Sequence, residues 1–288
     1  DLRVLRVGEP TPGRLTLGRA GRSLVAAEPR QSLVVFGPTQ TGKTTGLAIP
    51  AILEWEGPVV AASVKTDLLR DTLAAREARW GTETWVFDPT RCTGMAAAGW
   101  TPLAGCETWV GAQRIATWMN EASKRSGSGL ESHEFWYSAA TKLLAPVLHA
   151  AAVSEGSMRD VVRWIDTREE TDILSALLDV GAEDAITSFS ASAIREPKTK
   201  SSVYTTAETM LAAYLDPNVL ASAEHSDIDP DRLLDGGAHT LYLCAPSHEQ
   251  RRLQPIFVTL LQEIITTVYR TAAERQAPLD PPLLLVLD

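Results

Sequence analysis

The chain has 288 residues, of which 44% are hydrophobic and 22% charged, and a formal net charge of −9. That length can bury a sizeable core in one large domain or two ordinary ones. The acidic balance argues against a protein that coats DNA non-specifically, because such binding comes from neutralising phosphates; any DNA contact must come from a local patch or from a pore formed on assembly.

Residues 1–30 are rich in Gly, Pro and Arg around short alternating runs such as Arg14-Leu15-Thr16-Leu17, which predicts small antiparallel strands. Residues 31–104 then alternate between strand and helix patterns. Ser32-Leu33-Val34-Val35-Phe36 reads as a buried strand and Val59-Val60-Ala61-Ala62-Ser63 as a second. Residues 66–76 have a helical pattern, and Thr82 to Phe87 reads as a third strand. Such alternation implies a parallel sheet with right-handed crossovers.

Residues 107–235 differ: helical periodicity dominates and strand candidates are few. Phe135, Trp136, Ala139, Ala140, Leu143, Leu144, Val147 and Leu148 follow the stripe of an amphipathic helix, with Pro146 expected to kink it. Ser157 to Asp160 and Thr167 to Glu170 resemble capping boxes. Trp109, Trp118, Trp136 and Trp164 sit at helical spacings among apolar neighbours and read as core. The α/β pattern resumes with a strand at Thr240–Cys244, a long helical stripe from Leu253 to Val268, and a final apolar run, Leu283 to Leu287, closing on Asp288. The expected domains are therefore 1–106 with 236–288, and an all-helical insertion at 107–235. The strand at 283–287 is expected beside that at 32–36.

Cys92, Cys106 and Cys244 form no C-x-x-C pair, which predicts free thiols and a reducing compartment. His133-Glu134-Phe135-Trp136-Tyr137 lacks the second histidine of a zinc protease helix. No apolar run is long enough to span a bilayer, and no leader segment is visible. The opening Asp1 suggests a trimmed segment, expected to be soluble, of a longer parent.

The most specific motif is Gly37-Pro38-Thr39-Gln40-Thr41-Gly42-Lys43-Thr44, which fits the phosphate-loop pattern G-x-x-x-x-G-K-[ST] without a mismatch. Glycines let backbone N–H groups curl around phosphate oxygens, and the following helix start adds positive partial charge. Lys43 is the candidate for the β- and γ-phosphates, Thr44 for Mg²⁺, and Thr45 continues the nucleotide-binding segment. Leu283 to Asp288 has the form of a Walker B strand, whose terminal Asp holds Mg²⁺. Lys43 and Asp288 are the candidate catalytic residues, and ATP with Mg²⁺ the expected ligands. A hydrolytic enzyme of this kind commonly places Glu directly after that Asp. Weak hydrolysis is the expectation for the chain as it stands. Basic residues Lys124 and Arg125, in a Gly/Ser-rich loop, and Arg195, Lys198 and Lys200 are candidate DNA or cargo contacts, with a solvated loop as the alternative reading.

Gly37 to Pro50 resembles the phosphate-loop segment of conjugative, type IV secretion coupling ATPases of the TraG kind. Ser63 to Asp67 resembles their second conserved segment and Phe87 to Thr90 their third. Thr101 to Cys106, Phe135-Trp136 and Thr240 to Pro246 are similar to the actinobacterial branch. The resemblance covers nearly the whole chain. It implies a RecA-like P-loop NTPase with a mainly parallel sheet and a large all-helical insertion. It also implies a hexameric motor on the cytoplasmic face of the membrane. That motor recruits relaxase–DNA or effector-protein cargo to a secretion channel, and this chain would be an excised cytoplasmic piece of it, monomeric on its own. The competing reading is a nucleotide-regulated helical adaptor without significant hydrolysis; a small-molecule kinase fits the long helical insertion poorly.

Overall fold

The computed structural model describes residues 4–63, 65–124 and 131–288, with side chains from residue 134 onward in the last segment. The chain divides into two compact units, one comprising Asp1–Ala97, Ile228–Ser247 and Thr266–Asp288, the other Ala98–Asp227 and His248–Ile265. Along the chain, β1 (Arg6–Val7), β2 (Thr16–Ala20) and β3 (Ser23–Ala26) come first, then a π-helical turn (Thr44–Ala48) that continues as α1 (Ile49–Glu54). β4 (Val59–Ser63), α2 (Asp67–Trp80) and β5 (Thr84–Phe87) follow. The helices α3 (Trp109–Ser123), α4 (Glu131–Val153), α5 (Met158–Thr167), α6 (Thr171–Asp179), α7 (Glu183–Ala193), α8 (Pro197–Leu211) and α9 (Pro217–Ala221) come next. The chain closes with α10 (Pro230–Leu233), β6 (Thr240–Cys244), α11 (Gln250–Arg275) and β7 (Leu284–Leu287).

In the first unit, β1–β3 form an antiparallel sheet in the order β1-β3-β2, as the alternating runs predict. The main sheet has the order β5-β6-β4-β7 and every pairing is parallel. A parallel sheet covered on both faces wants continuous apolar strands. Val59-Val60-Ala61 and Thr240-Leu241-Tyr242-Leu243-Cys244 are accordingly buried along those lengths. Ile52 and Trp55 of the α1 end, with Leu68 and Leu69 of α2, pack against Val59, Ala61, Val86, Tyr242 and Leu284. Each such side chain contributes about 1.5–3 kcal/mol when fully buried.

Arg76 of α2 lies inside this unit, only 2% exposed. Its Nε donates to Thr240 Oγ1 at 2.6 Å. One terminal nitrogen donates to the Ile52 and Trp55 carbonyls at 2.7 and 2.8 Å, and the other to those of Gly57 and Ala238 at 3.1 and 2.8 Å. A guanidinium has five N–H donors, and here each has an acceptor. None of these acceptors is a carboxylate. The Ile52 and Trp55 carbonyls close the C-terminal end of α1, where the helix dipole is negative and favours a cation. Burial pulls the guanidinium down to about 10, so it remains charged at neutral pH.

The expected strand at 32–36 does not form. Residues 31–38 have no regular structure, and Val34 and Phe36 are 71% and 92% exposed. β7 pairs with β4, and no described strand lies on its other side, so the expected pairing with 32–36 is absent. The physical reason is that β-propensity records fit to a pleated, half-buried surface rather than an intrinsic backbone preference. An apolar run without a ladder partner gains nothing from its β-branched residues. The outer edge of β7 shows the same lack of cover, with Leu287 68% exposed.

In the second unit α4 is central, packing against α3, α5, α6, α7 and α8. Its Leu143, Leu144, Val147 and Leu148 are fully buried, and the helix runs unbroken through Pro146. The capping box at Ser157 is present, with Asp160 Oδ2 accepting from the Ser157 N–H at 2.9 Å. The one expected at Thr167 is not. Thr167 ends α5 and its hydroxyl donates back to the Arg163 carbonyl at 2.7 Å, the local alternative open to a threonine in a helix. Glu169 takes over, accepting from the Thr171 and Asp172 N–H groups at 2.8 and 3.3 Å. Of the four tryptophans read as core, Trp164 is buried, whereas Trp109, Trp118 and Trp136 are half-buried.

Candidate nucleotide site

The phosphate loop is shaped by its own sequence. Gly42 takes φ of 79°, a left-handed conformation that suits a residue without Cβ, and Gln40 takes 64°. A non-glycine residue there costs on the order of 1–3 kcal/mol, a cost that concentrates at functional sites. The Thr41 hydroxyl donates to the Pro38 carbonyl at 2.8 Å and closes the turn. Beyond the loop, the Gly46 N–H reaches Gly42 O at 2.7 Å, and the Ile49 N–H reaches Thr44 O, which widens the first turn into a π-type one. Helix starts leave their first N–H groups without intrahelical partners, which makes this end an anion site.

Lys43 Nζ donates to the carbonyls of Gly37 and Pro38 at 2.9 and 2.7 Å, so its ammonium bridges the entry of the loop. The Thr44 hydroxyl donates to Asp288 Oδ2 at 2.8 Å, joining residues 244 positions apart. Asp288 is placed by the sheet: it follows β7, and its N–H continues the ladder to Ala62 O at 3.0 Å. A hydroxyl and a carboxylate oxygen, side by side at a phosphate loop, form a donor set suited to a hard cation such as Mg²⁺. The pair lies at the C-terminal end of a parallel strand, where open α/β sheets take their ligands.

The family model described as Type IV secretory system Conjugative DNA transfer matches residues 6–288. The chain belongs to that family. Two curated proteins described as Conjugal transfer protein TraG, both from Escherichia coli, are 28% and 27% identical to it over 255 residues. Those alignments cover 82% of this chain and 39% of each relative, so the chain spans less than half their length. Among solved structures, the bacterial conjugative coupling protein TrwBdeltaN70, in an unbound form, superposes with a TM-score of 0.63 at 19% identity. That superposition covers 93% of this chain and 56% of the other. The chain thus shares the fold of that structure, a parallel α/β sheet with a helical insertion.

Other charged side chains of the chain also have definite places. Asp67 starts α2, its Oδ1 accepting from the Leu68 N–H at 3.0 Å and the Ser63 hydroxyl at 3.3 Å, while Lys65 is exposed. Arg252 is held by Glu249 Oε2 at 2.5 Å and Asp216 Oδ2 at 3.0 Å, so it braces its own unit; Arg251 is exposed. Residues 195–200 are a helix start rather than a loop, with Glu196 Oε2 accepting from the Thr199 N–H at 3.0 Å. Lys200 is ion-paired with Glu170, and Arg195 is half-buried. Lys124 and Lys198 are exposed, and Arg125 lies outside the described residues.

Asp88, at the end of β5, is a structural site that the motif Phe87 to Thr90 did not reveal as such. It is 1% exposed and accepts from the Thr93 N–H and hydroxyl, both at 2.7 Å, and from the Cys92 N–H at 3.0 Å. Burial pushes its carboxyl up, but the bonds from Thr93 and Cys92 outweigh this and hold it below its ordinary value. Its stabilising contribution is therefore present above the ordinary carboxylate range and is lost as pH falls through the lower folded value, beneath about 4. Asp88→Ala should cost about 2–3 kcal/mol at pH 7 by orphaning those donors. Urea unfolding at pH 7 and pH 3 should show a smaller acid loss in the variant than in the wild type; identical acid losses would remove Asp88 from the account.

Proposed function

We propose that this chain is the ATP-binding motor region of a coupling protein that delivers relaxase–DNA or effector-protein cargo to a type IV secretion channel. In this reading residues 1–106 and 236–288 form the nucleotide-binding domain and 107–235 the helical domain that meets cargo. The full parent would work as a homo-hexamer at the cytoplasmic face of the membrane, in contact with channel components. No described helix is long and apolar enough to cross a membrane, so any anchor would lie outside these residues.

The observation that carries the reading is the 2.8 Å bond between Thr44 and Asp288. Phosphate loop and acidic strand end, recognised separately in sequence, meet as a nucleotide–metal site requires. ATP would sit with its phosphates against Gly37, Pro38, Thr39, Gln40, Thr41, Gly42, Lys43, Thr44 and Thr45. Thr44 and Asp288 would hold Mg²⁺, which supplies neutralisation of charge on the β- and γ-phosphate oxygens. Lys43 would exchange its two carbonyl partners for phosphate oxygens.

The test is calorimetric titration with a non-hydrolysable ATP analogue, with and without Mg²⁺. The wild type should bind more tightly with the metal. Thr44→Val and Asp288→Asn should lose that increment, about tenfold or more, while retaining the metal-free affinity. An analogue that binds the wild type equally well with and without Mg²⁺ would sink the metal assignment.

A further inference from the structure

A second concave site lies wholly within the helical unit, in a cleft of about 610 Å³. Its walls come from the start of α3 (Glu107, Trp109), the end of α4 (His149, Val153) and the turn into α7 (Glu183, Asp184). Three observations there point the same way. His149 is only 5% exposed yet lines the cleft. Its Nδ1 lies 2.8 Å from the Cys106 carbonyl, which can only accept, so the proton sits on Nδ1. Nε2 has no partner among the described residues, and in the neutral ring it is a bare acceptor.

The second observation concerns charge. Glu107, Glu183 and Asp184 are all exposed, and none of their carboxylates has an ion-pair or hydrogen-bond partner among the described residues. No Lys or Arg lines the cleft. Glu183 and Asp184 stand in the first turn of α7, where acidic residues favour the helix; that accounts for their presence, but not for Glu107 or for the open imidazole. The third is the half-buried Trp109, whose ring centroid lies 6.2 Å from that of His149 at an interplanar angle of 52°.

We propose that this cleft is a docking site for an arginine side chain presented by a protein partner. A guanidinium is planar and always charged, and it carries several donors. It can stack on the Trp109 face, donate to His149 Nε2, and pair with the carboxylates of Glu183 and Asp184. Nucleic acid is a poor occupant, because unpaired carboxylates repel phosphate. A metal ion is a poor one too, since no group of three or more His, Cys, Asp or Glu among the described residues is placed to hold it. The proposal rests on the helical unit alone and does not depend on the nucleotide reading.

The experiment titrates the full chain with N-acetyl-arginine N-methylamide and follows the His149 imidazole nitrogens by NMR. Citrulline and lysine analogues serve as the neutral and the non-planar controls. The arginine probe should move the Nε2 resonance saturably, and added salt should weaken it. The citrulline probe should bind at least about tenfold more weakly. The rim variant E183Q/D184N should weaken the arginine probe by a similar factor while its unfolding midpoint, measured in parallel, stays near the wild-type value. His149→Gln should reduce binding without abolishing the salt dependence. Equal binding of citrulline, or unchanged binding in the rim variant, would overturn the proposal. Lysine binding as tightly as arginine would overturn the choice of side chain. A concentration-dependent dimer in sedimentation that the rim variant abolishes would mean that a second copy, not another protein, fills the cleft.

Discussion

Arg76→Met should lower the unfolding free energy of the first unit by about 4 kcal/mol. The side chain ties together the end of α1 through Ile52 and Trp55, the turn before β4 through Gly57, and the entry of β6 through Ala238 and Thr240. Removing the guanidinium leaves four carbonyls and a hydroxyl short of a donor inside the protein. Each such loss costs about 1–3 kcal/mol when water cannot compensate, and partial relaxation keeps the total below the sum. Methionine retains much of the stem, so a cavity contributes little and the measured loss reports the hydrogen bonds. Arg76→Lys keeps the charge but offers three donors on one nitrogen. It cannot span acceptors spread around a planar fork, and about half the loss should remain. Urea unfolding followed by far-UV circular dichroism makes the comparison. A methionine variant within about 0.5 kcal/mol of the wild type, the range of ordinary surface substitutions, would show that the clamp does not hold the unit together.

Arg76 also shows where reading the sequence stops. In residues 66–76 the helical pattern is plain, yet nothing in it separates the buried Arg76 from the exposed Arg70. Its partners are mostly backbone carbonyls, which leave no mark on the sequence. Lys200 is a similar case: it stands in a basic cluster, but its partner Glu170 is brought near only by the packing of α8. Ser32 to Phe36 failed in the opposite direction, because a strand needs a neighbour and sequence pattern does not supply one. By contrast, Val59–Ser63 and Thr240–Cys244 were legible because burial on both faces forces continuous apolar runs, and Leu284–Leu287 was legible as an apolar run although only Leu284 is buried. The phosphate loop was legible because the chemistry restricts residue type at each key position: glycine where the backbone turns, lysine where charge is needed. That Thr44 and Asp288 would meet followed from their roles, while the distance came only with the fold.

Lys43→Ala should weaken the ATP analogue by about 100-fold, the equivalent of about 3 kcal/mol. The ammonium already has two carbonyl partners, Gly37 and Pro38, at 2.9 and 2.7 Å. Binding therefore exchanges neutral acceptors for phosphate oxygens, and the gain is the difference between a charge-assisted bond to a carbonyl and one to an anion. That difference is large because the triphosphate carries several negative charges, and apart from the metal the loop answers them only with backbone dipoles and hydroxyl groups. Residues Gly37 to Gly42 are exposed, so the variant should unfold within about 0.5 kcal/mol of the wild type. A loss of affinity then reports the site and not the fold. Lys43→Arg separates charge from shape: the guanidinium keeps the charge, but its fork is too broad to seat between the Gly37 and Pro38 carbonyls as the ammonium does. It should recover only part of the affinity. Salt should weaken the wild type more than the alanine variant, since one cation fewer faces the phosphates. If the alanine variant binds the analogue as tightly as the wild type, the loop does not cradle a triphosphate, and the Thr44–Asp288 bond is then a purely structural link between the end of β7 and the π-helical turn.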